Sequence, residues 1–152
     1  MGVLHLTRAV YEAIRAHGEE TYPYECCGAL LGLSIEDGWQ VEDAVRAGNT
    51  RTDSAHNRYH IAPLELVKIE CEARRLGFCI AGFYHSHPDH PAQWSLTDLS
   101  EAHWLGCSYV ITAVAKGKAA ATNSFRLAGA REEEKRFEQD TIVVDDEPAG
   151  QS

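Results

Sequence analysis

Between Tyr84 and Glu101 the chain reads YHSHPDHPAQWSLTDLSE, and this segment holds the side chains best suited to chemistry. His85 and His87 stand two apart at the end of the apolar run Phe78 to Tyr84 (FCIAGFY). Side chains alternate along a strand, so residues i and i+2 share a face. Both imidazoles can therefore address one ion. Pro88 cannot continue a central strand and should end it. After a loop, Ser95 opens a helix and Asp98 falls in its first turn, where the helix dipole favours a carboxylate. If the loop folds back, two neutral imidazoles and a carboxylate meet. That is a ligand set for one Zn2+ per chain, with a fourth position left for water.

Each part also has a plainer reading. S-L-T-D is a capping box, with Ser95 as the cap and Asp98 at the third helical position. An H-x-H pair occurs without metal, and the metal reading rests on three candidates converging at a strand end and a helix start. His90 lies in the same loop and either joins the ligands or lines the cleft. His5, His17, His56, His60 and His103 have no partner at ligand spacing. The five cysteines are odd in number and form no C-x-x-C, which argues against a disulfide framework or a Cys-rich zinc site. Cys71, Cys79 and Cys107 are expected to pack as buried, small apolar residues. Cys26 and Cys27 fit the same role, or touch a substrate.

The elements that must position these residues can be read outward from them. Phe78 to Tyr84 is the most apolar strand candidate and should lie at the sheet centre. Before it, Pro63 suits the first turn of a helix to about Leu76, with Gly77 at its end. Thr7 can cap a helix to about Glu20. Gly28 to Leu33 and Trp39 to Val45 read as a hairpin around the turn Ile35 to Gly38. Gly48 to Asn57 is a polar loop, and Arg58 to Ile61 a short strand. A third helix is expected from Ser95 to Leu105, then strands at Tyr109 to Ala115 and Ala120 to Ala128. Gly129 to Val144 carries two weaker strands. The pattern predicts an α/β single domain, a mixed sheet with helices packed on it. The domain is expected over residues 1–144, followed by a disordered tail, 145–152 (DDEPAGQS).

The 152 residues suffice for one domain with its own core. With 14 basic and 23 acidic side chains the net charge is -9, which disfavours a nucleic acid partner. No run reaches the roughly 20 apolar residues of a membrane helix, and no secretory signal is evident. A cytoplasmic protein without membrane contact is the expectation. A homodimer is compatible with these residues, which do not set the oligomeric state.

H-S-H-P-x6-S-x2-D, from His85 to Asp98, resembles the signature of the JAMM (MPN+) zinc metalloprotease family. That signature includes an upstream glutamate. Pro23-Tyr24-Glu25-Cys26-Cys27-Gly28, placed before an apolar strand, is similar to the segment around it in bacterial members. The resemblance runs from Thr7 to about Ala128. It implies that His85, His87 and Asp98 hold zinc, that Glu25 is the general base, and that the Ser95 hydroxyl stabilises the oxyanion. It implies a curved mixed sheet flanked by helices, similar to that of cytidine deaminases. It also implies cleavage of an amide bond after the C-terminal Gly-Gly of a ubiquitin-like protein, in short bacterial members a sulfur carrier. The Gly48 to Asn57 loop could then fold over the extended tail. A metal-free, protein-binding scaffold is the alternative, and the complete ligand set argues against it. A zinc nucleobase deaminase would need H-x-E followed by P-C-x-x-C, and P-C-x-x-C is absent.

Overall fold

A computed structural model describes residues 2–48 and 60–146. Strand β1 (Val3–Thr7) buries Leu4 and Leu6 and leaves the alternate residues half-exposed. Helix α1 (Arg8–Thr21) starts where the Thr7 hydroxyl accepts the Val10 N–H at 3.1 Å. Strands β2 (Cys27–Ile35) and β3 (Gly38–Ala47) form the expected hairpin. Helix α2 (Pro63–Leu76) begins on its proline and ends at Gly77, whose φ of 80° suits glycine alone without strain. Then come β4 (Cys79–Pro88), the short helix α3 (Leu96–Glu101), β5 (Ser108–Ala115), β6 (Lys118–Ala128), a single 3-10 turn (Glu132–Glu134) and β7 (Arg136–Asp145).

The strands are ordered β1-β3-β2-β4-β5-β6-β7, and β7 returns to pair with β1. The mixed sheet with packed helices is therefore present, but it closes into a seven-stranded barrel, which the likeness to cytidine deaminases did not specify. β4 runs between antiparallel β2 and parallel β5. Helix α1 packs on one face through Val10 and Ile14 against Leu4, Leu6, Leu30 and Tyr84. Helix α2 covers the other through Ile69 and Ala73, against Leu31, Ile80, Phe83 and Tyr109. Complete burial of a side chain such as Ile14 contributes about 1.5–3 kcal/mol.

One irregularity sets the direction of the histidines. Leu30 faces Gly82 and Leu31 faces Ile80, so Ala81 is an extra residue in β4. The bulge resets the alternation. Ile80 and Phe83 share the α2 face while Ala81 and Tyr84 share the α1 face. From Phe83 onward the period of two carries His85 and His87 to the α2 side.

Several expectations need correction. β1 was not anticipated. The third helix stops at Glu101 and does not reach Leu105. Trp104 turns inward against Phe83, with ring centres 5.2 Å apart, and its main-chain N–H donates to the Tyr109 hydroxyl at 3.1 Å. That packing, which leaves Trp104 partly buried, draws the chain off the helix axis. Residues 129–144 hold one strand, not two, because Glu132–Glu134 forms the 3-10 turn. Cys71 and Cys79 are exposed, while Cys26, Cys27 and Cys107 are buried; all five are free thiols. Asp145 still pairs in β7 and Asp146 accepts from Arg8 at 2.7 Å, so order extends past 144. Residues 147–152 of the expected tail lie outside the described residues. So does the Gly48 to Asn57 loop after Gly48, and Arg58 and Tyr59 of the short strand expected to Ile61; His60 and Ile61 are not in a strand. Among the described residues no helix is long and apolar enough to cross a membrane.

Candidate metal centre

His85, Ser86 and His87 are the last residues of β4 before Pro88, and all three are buried. His85 sits opposite Cys27 on β2 and beside Ile111 on β5. The loop beyond Pro88 is tied back at several points. Asp89, with φ 57°, donates its N–H to the Val114 carbonyl at 2.7 Å. Its carboxylate accepts from the Tyr22 hydroxyl at 2.5 Å and from the Lys116 N–H at 2.8 Å. The Asn123 amide donates to the Ala92 carbonyl at 2.9 Å. These bonds tie the loop to Tyr22, to β5 and β6 and to the turn between them, and α3 follows beside the histidines.

At the start of α3 the capping box is complete. The Ser95 hydroxyl oxygen accepts the Asp98 N–H at 3.0 Å, and the Asp98 carboxylate accepts the Ser95 N–H at 2.9 Å. The same carboxylate reaches the histidines, so the cap and the ligand reading describe one geometry. His87 Nε2 lies 3.1 Å from Asp98 Oδ2, His85 Nε2 lies 3.3 Å from Asp98 Oδ1, and the two Nε2 atoms are 3.2 Å apart. Each ring nitrogen has a single in-plane direction but two neighbours at this range. One shared ion satisfies all three groups together. With metal–nitrogen bonds of about 2.0–2.1 Å, tetrahedral ligands lie about 3.3–3.4 Å apart, close to the spacing found. The residues therefore fit a metal ion, and among the described residues they are the one group of three so arranged.

Surrounding groups prepare these ligands. The Pro91 carbonyl lies 2.9 Å from His87 Nδ1, and a carbonyl only accepts, so Nδ1 carries the proton and Nε2 presents its lone pair. Burial lowers the His85 pKa and keeps that ring neutral, against the pull of Asp98. For His87 burial acts in the same sense, but Asp98, the Pro91 carbonyl and Glu25 outweigh it and the pKa rises. Burial works against ionisation of Asp98 too; the two histidines and the Ser95 N–H prevail and hold it well below the usual carboxylate range.

Glu25 comes from the loop before β2 and is 5% exposed. It lines a cleft of about 350 Å³ with His87, His90, Pro91, Gln93, Ser95 and Thr97. Burial pushes its carboxyl up to about 8; Asp98 and Glu101 add to the rise and His87 opposes it. His90 lines the cleft but is not one of the converging ligands. The structure thus brings Glu25 and Ser95 to the cleft that His87 enters. The groups sequence reading missed are Asp89, Pro91 and Asn123, which hold the loop. The Pro-Asp step after His87 is a turn signal, while nothing local marked Asn123.

Residues 7–128 match the family model described as prokaryotic homologs of the JAB domain. The chain belongs to this family. It is 33% identical over 112 residues to a desampylase of Haloferax volcanii, covering 71% of this chain and 78% of that one. Over 102 residues it is 33% identical to a probable TtuB-protein conjugate cleaving protease of Thermus thermophilus. That match covers 67% of this chain and 65% of the relative, so it spans less than two thirds of the relative's length. Among solved structures, a Desulfitobacterium hafniense protein superposes with a TM-score of 0.80 at 26% identity, covering 95% of this chain and 94% of the other. A Salinibacter ruber protein does so with a TM-score of 0.67 at 34% identity, covering 94% and 92%. The span matched to the prokaryotic JAB family contains α1, the barrel from β2 to β6 and all of Glu25, His85, His87, Ser95 and Asp98.

Proposed function

We propose that this chain is a zinc-dependent peptidase or isopeptidase that hydrolyses the amide bond after the Gly-Gly tail of a ubiquitin-like or sulfur-carrier protein. The observation that carries this is the convergence of His85, His87 and Asp98 beside the buried Glu25 carboxyl. The two named relatives, a desampylase and a conjugate-cleaving protease, support the class of bond cut. Nothing in the described residues favours a scaffold without activity.

His85 Nε2, His87 Nε2 and an Asp98 oxygen would hold the zinc, which supplies Lewis acidity at neutral pH. Glu25 takes a proton from the attacking water and passes it to the departing amine. Its raised pKa suits both steps. Ser95 has two tasks that are compatible, since its oxygen accepts from Asp98 and its proton stays free to donate. Donation to the developing oxyanion would contribute about 2.7–4 kcal/mol.

The test uses the zinc-loaded chain and a carrier protein of ubiquitin-like fold. One form ends in Gly-Gly plus one residue, and another is joined through Gly-Gly to a lysine of a second protein. Mass spectrometry should show release at the glycine in both. Valine at the penultimate glycine should slow release at least ~10-fold, because a branched side chain crowds a narrow cleft. Failure to cleave either form would overturn the proposal.

The metal reading also sets a pH dependence. A proton on His87 Nε2 competes with the ion, and the His87 pKa is raised above its ordinary imidazole value. The metal therefore competes poorly below that raised pKa and freely above it. The gain in Tm on adding zinc should grow between about pH 6 and about pH 8. Melting curves with equal zinc-induced gains at both ends would contradict the assignment of His87.

A further inference from the structure

Ser86 stands between the two histidines, and the chemistry above leaves it unused. It is fully buried and faces the opposite side of β4 from both imidazoles, beneath α1. Its N–H donates to the Cys26 carbonyl at 3.3 Å, and its hydroxyl oxygen accepts the Cys26 N–H at 2.9 Å. These bonds lie one step beyond the last β2–β4 pair, Cys27 with His85. The next residue upstream is Glu25, which leaves the sheet for the cleft. In a regular antiparallel ladder a main-chain carbonyl would take the Cys26 N–H. Here a side chain on the histidine strand takes it instead.

The helix above holds this hydroxyl in place. A Cβ at Gly18 would meet Ser86 Cβ at 3.3 Å, its Oγ at 3.8 Å and Val114 Cγ2 at 3.0 Å. Glycine lets α1 press directly on Ser86, which leaves the serine little room to change rotamer.

We propose that Ser86 is the positioning residue for Glu25. Its hydroxyl fixes the Cys26 main chain to the strand that bears His85 and His87, and so sets where the Glu25 carboxyl enters the cleft. This rests on the reading of Glu25 as the base. Without the hydroxyl, the buried Cys26 N–H has lost its acceptor and the segment must shift to find another. A displacement near 1 Å at a proton-transfer group lowers turnover on the order of 10²-fold.

The experiment compares Ser86→Ala and Ser86→Cys with the wild-type chain on the Gly-Gly conjugate. It measures kcat, KM, zinc content and hydrogen exchange of the Cys26 amide by NMR. Cysteine fills the space under Gly18 but is a weak acceptor, so it separates the lost oxygen from a cavity and decides the matter if the alanine variant does not fold. Both variants should lose ~10–10²-fold in kcat with KM and zinc unchanged. The Cys26 amide should exchange faster while the Tyr84 amide does not. A cysteine variant with wild-type kcat, unchanged Cys26 exchange, or zinc lost along with activity would each overturn the role. Glu25→Gln, run alongside, separates the two readings. If it keeps wild-type turnover, the base assignment falls and the role of Ser86 falls with it. If it is inactive while Ser86→Cys is fully active, only the positioning role falls.

Discussion

Glu25→Gln is expected to keep about one zinc per chain and to lose at least ~10²-fold in turnover. Glutamine matches glutamate in shape, so the cleft wall keeps its form, but it has no site to take a proton. Glu25 is not among the three converging ligand atoms, so the metal should stay. The substitution also has a signature in stability. Burial raises the Glu25 carboxyl to about 8 in the folded chain, above its value of about 4.3 unfolded. A carboxyl shifted this way disfavours the fold progressively as pH rises from near the unfolded value through the folded one. Glutamine carries no such charge. The metal-free variant should therefore melt at or above the wild type, with the difference widening up to about pH 8. Steady-state rates, elemental analysis and melting curves check the three parts. Nearly intact turnover, or a variant without zinc, would remove Glu25 from the role of base.

Asp98→Ala should reduce zinc from about one per chain to near zero after dialysis against a mild chelator, and His87→Ala should do the same. Asp98 reaches both imidazoles and is also the acceptor for the Ser95 N–H. Its removal leaves two neutral rings to hold a divalent ion and weakens the start of α3. Asp98→Asn separates these effects. An amide oxygen can still accept from Ser95, so the helix start survives, while the negative charge is gone. Zinc should be lost from the asparagine variant too, and its metal-free Tm should exceed that of the alanine variant. Elemental analysis giving wild-type zinc in both Asp98→Ala and His87→Ala would refute the site.

The residues that converge at the candidate metal centre were readable because each is positioned by a local rule. Strand alternation gave His85 and His87 one face, and helix capping put Asp98 in a first turn. The capping box and the ligand set seemed to compete in the sequence. In space one carboxylate serves both, its Oδ2 meeting the Ser95 N–H and His87 Nε2 together, a relation no spacing reveals. Ser86 could not be assigned from its position, since its partner Cys26 is 60 residues away. Pro91 acts through a carbonyl, which every residue has. The Ala81 bulge turns the histidines toward α2, but it exists only through the register against β2. β1 escaped notice because five residues with two buried leucines carry little periodicity, and their strand character comes from β3 and β7. The early end of α3 follows from where Trp104 packs against Phe83, a tertiary fact that overrode a helical pattern.

Closure by β1 has a consequence for how the chain is made. Val3–Thr7 is made before the other described strands, yet its two neighbours are β3 and β7, and Arg8 meets Asp146 across 138 residues of chain. Once β3 has emerged, the first strand can dock on one side while its other edge stays open. At about 5–20 residues per second, the wait for the seventh strand is roughly 5–20 s. Throughout that interval the nascent chain displays an unpaired strand edge, the kind of surface that recruits strangers. A chain that stalls after β6 would keep its candidate metal ligands, its serine and its glutamate, and still be a hazard to its neighbours.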